Sequence, residues 1–213
     1  MGSFAEDPLR DRPPTSHEWQ SGQPWDASYQ EGPAPWEIGG PQPAVVRLAE
    51  AGRITGEVLD AGCGTGDNAL YLAALGHRVL GVDVAATAVA AARSQAESRG
   101  LTATFEVADA LHLERLGRRF GTVLDSGLFH TFDRTEQAVY AVSLGSVVAS
   151  GGTLYVLCFG DFGPDPGPHP VSRTALTAAF DPGAWDIAAV EQESLRTRFS
   201  EATPAWLATI HRR

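Results

Sequence analysis

The chain has 213 residues, of which 26 are acidic and 16 basic, so its formal net charge is −10. This length suits one α/β domain with a sizeable core, and the negative charge disfavours nucleic acid and anionic membranes as partners. Because no apolar run is long enough to cross a bilayer and the N-terminus lacks the order of a signal peptide, we expect a cytoplasmic protein with a small-molecule partner. The sequence leaves the oligomeric state open.

The first part of the chain contains no periodic apolar pattern. Residues 1–24 are rich in proline and polar side chains, and we expect this tail to be disordered unless a ligand pins it. From 25 to 42, prolines and glycines separate large apolar residues, which is typical of a folded-over cap. These residues are Trp25, Tyr29, Trp36 and Ile38. They either fill a hydrophobic seam or form a lid over a ligand, and their place before the first core helix favours the lid.

Strand and helix patterns alternate from residue 43 onwards. The predicted helices are 43–51, 68–75, 85–98, 135–149 and 172–180, and the predicted strands are 58–61, 78–83, 104–107, 120–125, 152–159, 185–193 and 205–211. Such alternation is typical of parallel sheets covered by helices on both faces. We therefore predict one α/β domain over 25–213, with a Rossmann-like, doubly wound, mostly parallel sheet of seven strands whose last strand is antiparallel.

A glycine-rich turn follows the first predicted strand. Gly62, Gly64 and Gly66 allow the backbone to approach a ligand closely, and the next helix directs its free N–H groups to the same place. Asp83 ends the second strand about twenty residues further on, where a Rossmann-type unit carries its ribose-binding carboxylate. This combination predicts a nucleotide-type ligand.

Asp60, two residues before the first of these glycines, narrows the choice of ligand. Dinucleotide-binding enzymes usually show G-x-G-x-x-G, whereas the glycines here alternate as G-x-G-x-G. A carboxylate at this place would repel a pyrophosphate but would suit an ammonium group. The stretch L-D-A-G-C-G-T-G at 59–66 resembles motif I of the class I S-adenosylmethionine-dependent methyltransferases.

This resemblance implies contacts to the cofactor S-adenosyl-L-methionine. Asp60 and the backbone at Gly62 and Gly64 would hold the methionine end, Asp83 the ribose hydroxyls, and Asp109 with Ala110 the adenine edge. The further expected cofactor-binding residues are Cys63, Val84, Asp125, Trp25 and Trp36. Aspartate also caps helices well, so purely structural roles remain open for Asp83 and Asp109.

His130 follows the fourth predicted strand at the same sheet edge. Its imidazole titrates near neutrality, which makes it our candidate for the base that removes a proton from the acceptor. The alternative is that it positions a loop or hydrogen-bonds the acceptor without taking its proton. The expected acceptor contacts are Tyr29, Ile38, Phe129 and His169, and His169 is also the second candidate base. No spacing among the histidines and neighbouring acids matches a metal motif, so we predict no metal.

Further motifs extend the resemblance over most of the chain from residue 25 onwards. They are W-D-x-x-Y-x-x-G at 25–32, P-W-E-I-G at 35–39, F-E-V-A-D-A at 105–110 and D-S-G-L-F-H at 125–130. These segments are similar to the small actinobacterial methyltransferases that act on heterocyclic toxins. The thiopurine, thiol and halide methyltransferases share the first two, so the resemblance implies methylation of oxygen, nitrogen or sulfur on a small aromatic heterocycle.

Three alternatives to this function stay open in the sequence. A thiol or halide methyltransferase would use the same cofactor and release the same product, S-adenosyl-L-homocysteine, but its acceptor would be different. A nicotinamide-dependent oxidoreductase would use the same glycine turn for a dinucleotide. A cofactor-binding protein without activity would show the same motifs, because fold alone does not fix function.

Overall fold

The computed structural model describes Leu9, residues 12–30 and residues 32–213. Within this part of the chain, a seven-stranded sheet has the order β3-β2-β1-β4-β5-β7-β6. Its strands are β1 (Val58–Ala61), β2 (Val79–Asp83), β3 (Thr104–Val107), β4 (Phe120–Ser126), β5 (Val148–Phe159), β6 (Trp185–Leu195) and β7 (Thr203–Arg212). β7 runs antiparallel to β5 and β6, and the other paired strands are parallel. The predicted fold class is confirmed.

Six α-helices surround the sheet in the described residues. They are α1 (Ser16–Ser21), α2 (Pro43–Glu50), α3 (Asp67–Ala74), α4 (Ala86–Ser98), α5 (Arg134–Val147) and α6 (Arg173–Ala178), and 3₁₀ turns span Trp25–Tyr29, Ala110–Leu116 and Phe129–Thr131. The predicted helix to residue 149 and strand from residue 152 are wrong at this boundary. The chain turns to extended backbone at Val148, which pairs with Phe120 across an irregular register, so β5 begins four residues early.

Alternate residues of the central strands pack on opposite faces of the sheet. Leu59, Val123 and Leu154 pack with Leu144 of α5 on one face of the sheet. On the other face, Val58, Leu124 and Tyr155 pack with apolar residues of α2, α3 and α4. This period of two gives the sheet two apolar faces, and helices cover both of them.

Glu18 organises a segment that we expected to be disordered. Its carboxylate accepts hydrogen bonds from Arg12 at 2.6 and 2.7 Å, from the backbone N–H of Thr15 at 2.8 Å and from that of Trp25 at 3.2 Å. Ser16 also bonds to Glu136 of α5. The expectation is therefore wrong for α1 and its flanks, because one buried carboxylate collects donors from 12 to 25. The rest of the predicted tail, residues 1–8, 10 and 11, lies outside the described residues.

Candidate active site

A cavity of about 510 Å³ opens at the carboxyl edge of β1 to β5. This is the edge where ligands bind in open α/β sheets, and the volume is that of a small-molecule site. Its walls are formed by the strand ends, by residues from the segments 12–30 and 32–42, by the loop after β5 and by the loop between β6 and β7. The predicted site residues that line it are Trp25, Tyr29, Trp36, Ile38, Gly62, Cys63, Gly64, Asp83, Val84, Asp109, Ala110, His130 and His169.

The glycine turn between β1 and α3 is held from below by β2. Gly62 and Gly64 have φ values of 73° and 52°, in the left-handed region that favours glycine. The N–H of Gly64 donates to Oδ2 of Asp83 at 2.8 Å, and Val82 O accepts the N–H of Gly62 at 2.8 Å. A Cβ on Gly64 would lie 3.1 Å from the hydroxyl of Tyr29, so the turn is packed closely beneath the cap.

Carboxylates concentrate at the β1 to β3 end of the cavity. Asp83 is the last residue of β2, and Asp109 follows β3. Asp67 and Glu37 line the wall near the glycine turn. Burial raises the pKa of Asp83 against the opposing effect of the N–H groups of Ala85 and Gly64. Asp109 also caps a 3₁₀ turn by accepting a hydrogen bond from the N–H of Leu111 at 2.9 Å. It therefore has the structural role of a cap and also lines the cavity. This end of the cavity suits a ligand that carries positive charge.

Asp60 lies behind the glycine turn and not on the cavity wall. The side chain is only 1% exposed, and among the described residues neither carboxylate oxygen receives a well-formed hydrogen bond. Burial raises its pKa to about 7, with the backbone N–H of Ala69 opposing and the charges of Asp125 and Asp83 adding to the effect. The predicted direct contact between Asp60 and the methionine end is therefore not what this geometry shows.

Asp125 and Phe129 shape a loop instead of lining the cavity. Oδ1 of Asp125 accepts the N–H groups of Leu128 at 3.0 Å and of Phe129 at 3.2 Å, and burial raises the pKa of Asp125 to about 7. Phe129 is fully buried and stacks on Phe180 in the core. The predictions of a cofactor contact for Asp125 and an acceptor contact for Phe129 are corrected: both residues fix the loop that carries His130.

Three histidines, His17, His130 and His169, line the opposite end of the cavity, on the β4 and β5 side of β1. His130 is buried with its ring 4.4 Å from that of Phe159, and its Nδ1 faces the N–H of Phe159 at 3.4 Å. Burial is the main cause that lowers the pKa of His130 to about 3, and the neighbouring His169 and His17 contribute to this shift. His17 of α1 stacks on Trp25 at 4.3 Å and meets the edge of His169 at 5.7 Å.

The predicted cap closes the cavity between these two ends. The rings of Trp25 and Tyr29 both pack edge-on against Trp36, whose Nε1 donates to the hydroxyl of Tyr29 at 2.9 Å. Tyr29 lies over Gly64, so its place is beside the glycine turn and not at the histidine end where acceptor contact was expected. Arg198 of the β6–β7 loop donates to the carbonyl oxygens of Pro33 and Pro35 and thereby ties that loop to the cap.

Several wall residues are not found by our reading of the sequence. Arg12, Thr15 and His17 come from the predicted tail, and Thr197 and Phe199 come from the β6–β7 loop. A signal for the first group exists, because T-x-x-E at 15–18 is a capping box that marks a helix start. The β6–β7 loop carries no such local signal, since only long-range strand pairing brings it to the cavity.

No group of three or more histidine, cysteine or acidic side chains in the described residues is arranged to hold a metal ion. In the same residues, no helix combines the length and apolar character needed to cross a membrane.

Comparison with known proteins identifies the segment 58–152 as a match to the family model described as a methyltransferase domain. The 2-heptyl-1-hydroxyquinolin-4(1H)-one methyltransferase of Mycobacteroides abscessus is 46% identical over 146 residues, which cover 67% of this chain and 64% of that protein. The chain thus spans less than two thirds of that relative. Probable thiol methyltransferase 2 of Arabidopsis thaliana is 26% identical over 137 residues, 63% of this chain and 61% of that protein.

A solved structure is also similar over nearly the whole chain. It comes from work described as conversion of a disulfide bond into a thioacetal group during echinomycin biosynthesis. Its sequence is 39% identical, and the superposition covers 88% of this chain and 90% of that chain with a TM-score of 0.81. Because the superposition covers 88% of this chain, the likeness extends beyond the segment 58–152 that the family model matches.

Proposed function

The chain belongs to the methyltransferase family, and we propose that it transfers a methyl group from S-adenosyl-L-methionine to an oxygen, nitrogen or sulfur atom of a small aromatic heterocycle. The observation that carries this proposal is the cavity, which joins a glycine turn and strand-end carboxylates at one end to an aromatic and histidine-lined space at the other. The similar methyltransferase of Mycobacteroides abscessus is named for a hydroxylated heterocycle, 2-heptyl-1-hydroxyquinolin-4(1H)-one, which supports the choice of acceptor.

The residues at the β1 to β3 end fit this cofactor. Close-packed glycines with positive φ leave room for a ligand against the backbone, and Asp83 ends β2 where a ribose-binding carboxylate belongs. Asp109 with Ala110 would hold the adenine edge, and Trp25 with Trp36 would cover the cofactor. The buried carboxyl group of Asp60 lies below the turn, and its ionised form would add negative potential near the cationic ligand. The cofactor supplies an activated methyl group on a sulfonium.

Positioning is the main task that remains for the protein. Methyl transfer from an activated donor requires the acceptor atom to lie in line with the methyl group, in a site that excludes water. The cap residues Trp25, Tyr29 and Trp36 close the cavity above the glycine turn, and the loop held by Asp125 presents His130 to it. The flat aromatic rings of the cap suit a planar acceptor.

A panel assay with labelled S-adenosyl-L-methionine tests this function. Hydroxylated, N-hydroxylated and thiol-bearing heterocycles would be incubated with the enzyme, and the label would be followed into each acceptor. We expect transfer to at least one class of heterocycle and little transfer to aliphatic thiols or halide ions. Transfer confined to halide ions or simple thiols would favour the thiol or halide alternative. Absence of transfer to every compound, together with no binding of S-adenosyl-L-homocysteine, would contradict the proposal.

A further inference from the structure

We infer that His130 is a hydrogen-bond donor and not a base, and that the enzyme selects acceptors that bind as anions. This inference rests on the proposed methyl transfer and names the ionisation state of its acceptor. It replaces our expectation that His130 removes the acceptor proton.

The tautomer of His130 follows from its partner. A backbone N–H can only donate, so Nδ1 must carry the lone pair that receives the N–H of Phe159 at 3.4 Å. A neutral imidazole has one proton, which then resides on Nε2. In the described residues Nε2 has no protein partner, and it is not among the fully enclosed polar atoms, although the residue as a whole is buried in the cavity wall. Nε2–H is therefore free to donate to a ligand.

Protonation of His130 would be unfavourable for two reasons. The cation would carry a proton on Nδ1, directly against the N–H of Phe159, and the ring is enclosed beside Phe159 with little water to solvate a charge. The titratable groups that act on it are His17 of α1 and His169 of the loop after β5, and both oppose a further positive charge. A base at this position would have to become a cation in surroundings that destabilise a positive charge.

The order of the strands separates the charges of the cavity. Asp109, Asp83 and the glycine turn belong to β3, β2 and β1, whereas His130 and His169 follow β4 and β5 on the other side of the point where strand order reverses. Four of the five cavity carboxylates lie at the first end, namely Glu37, Asp67, Asp83 and Asp109, and the fifth, Asp165, lies on the loop after β5 that also carries His169. Besides Asp165, the histidine end offers N–H donors and Arg12, which is already paired with Glu18.

An anionic acceptor completes the reaction without a base. Its lone pair forms the new bond to the methyl carbon while the carbon–sulfur bond breaks, and both bonding electrons remain on sulfur. The negative charge of the acceptor and the positive charge of the sulfonium cancel, so the methylated product and S-adenosyl-L-homocysteine leave without further proton transfer. The acceptor loses its proton to solvent before it binds. The expected substrates are weakly acidic N-hydroxy, phenolic or thiol heterocycles.

Two variants of one residue separate a donor from a base. Glutamine keeps an N–H donor but takes up no proton near neutral pH, whereas alanine removes both functions. We expect His130→Ala to lower kcat/KM for an acidic heterocycle by about 10- to 100-fold, the usual effect of removing a hydrogen bond to a charged group, and His130→Gln to stay within about fivefold of the wild type. His112→Gln, which changes an exposed histidine outside the cavity, is the matched control. Equal losses in the glutamine and alanine variants would overturn the inference.

The pH dependence gives a second criterion. For two acceptors of different acidity, the inflection in kcat/KM of the wild type should move with the pKa of the acceptor. An inflection that stays at one pH for both acceptors would identify an enzyme base and contradict the inference. If the wild type transfers a methyl group to neither acceptor and binds no S-adenosyl-L-homocysteine, the proposed function itself fails, which is a different outcome from either pattern.

Nitrogen-15 NMR reads the tautomer without reference to activity. With labelled histidine, the resonances of His130 are those that disappear in His130→Gln. We expect a neutral ring with the proton on Nε2 throughout pH 5 to 8, in the presence and absence of S-adenosyl-L-homocysteine. A proton on Nδ1, or a cationic ring in this pH range, would overturn the assignment.

Discussion

The carboxylate of Asp26 accepts two hydrogen bonds from Thr87, one from the backbone N–H at 2.7 Å and one from the hydroxyl at 2.8 Å. Thr87 lies in the first turn of α4, where free N–H groups favour a negative charge. Partial burial alone would raise the pKa of Asp26, but the bonds from Thr87 and Gln30 hold it below its ordinary value. One end of the cap is therefore anchored on the helix that follows β2, while the aromatic remainder rests on the cavity.

This anchor leads to a prediction about the cap. We expect amide exchange in residues 25–38 to be fast without ligands and to slow when S-adenosyl-L-homocysteine and an acceptor are bound, because ligand contacts with the aromatic rings must offset the chain entropy of the cap. Asp26→Ala should speed exchange further in the ligand-free protein. Hydrogen exchange with mass spectrometry measures both effects, with Asp186→Ala on the exposed face of β6 as the control. Equal protection with and without ligands would show that the cap is a permanent part of the core.

Asp83 is expected to contribute directly to cofactor affinity. Asp83→Ala removes the acceptor for the N–H of Gly64 and the proposed partner of the ribose hydroxyls. We predict weaker binding by about 1 to 3 kcal/mol, the usual effect of leaving partners of a charged group unpaired. Calorimetric titration with S-adenosyl-L-homocysteine measures this loss, and Glu106→Ala, at an exposed position on β3, should bind like the wild type. Unchanged affinity in a folded Asp83→Ala protein would remove this residue from the site.

Gly81 on β2 is a position where no side chain fits. A Cβ there would lie 2.6 Å from Cδ1 of Phe105 and 2.9 Å from Sγ of Cys63, below the glycine turn. We predict that Gly81→Ala destabilises the protein by about 1 to 3 kcal/mol, as overpacking of a core does. The matched control is Gly40→Ala, since a Cβ at Gly40 has no neighbour within 4 Å and its φ is not positive. Urea unfolding of the two variants compares them, and equal midpoints would refute the packing argument.

The buried carboxyl group of Asp125 predicts a pH dependence of stability. Its pKa is about 7 in the fold, mainly because of burial, and 3.8 is its ordinary value. Between these values the native protein binds a proton that the unfolded chain releases, so this group lowers the free energy of unfolding as pH rises from about 4 to 7. Asp125→Asn keeps an oxygen for the N–H groups of Leu128 and Phe129 but does not titrate.

The variant should therefore gain stability relative to the wild type as pH rises. We expect the difference in unfolding free energy to change by on the order of 1 to 3 kcal/mol between pH 5 and pH 8. Urea titrations at these two pH values provide the measurement. A constant difference between variant and wild type would mean that Asp125 keeps an ordinary pKa in the fold.

The strands of the sheet could be predicted from the sequence because the alternation of apolar and turn-forming residues that marks them is local. Val58 to Ala61 is a short, mostly apolar strand next to a glycine turn, and most of the strands up to β5 alternate with helices, so seven strands could be placed before their pairing was known. The early start of β5 was missed because Val148 continues an apolar helical pattern, and only its pairing with Phe120 makes it a strand.

Only part of the candidate site could be predicted from the sequence, because the direction in which a side chain points depends on packing. Asp60 and Asp125 follow the expected motif, yet the first lies behind the turn and the second holds a loop. Glu18 accepts hydrogen bonds from Arg12, Thr15 and Trp25, and the proline-rich composition of this segment gives no indication of them. His130 was found by its place after β4, but its tautomer depends on Phe159, which is 29 residues away.

We propose that the glycine turn and Asp83 bind an S-adenosyl nucleotide and not a dinucleotide. Isothermal titration of the wild-type protein with S-adenosyl-L-homocysteine and, separately, with NAD tests it most directly. We predict saturable binding of one equivalent of S-adenosyl-L-homocysteine and no measurable heat with NAD. Binding of NAD without binding of S-adenosyl-L-homocysteine would contradict the claim and favour an oxidoreductase, and binding of neither would contradict it as well.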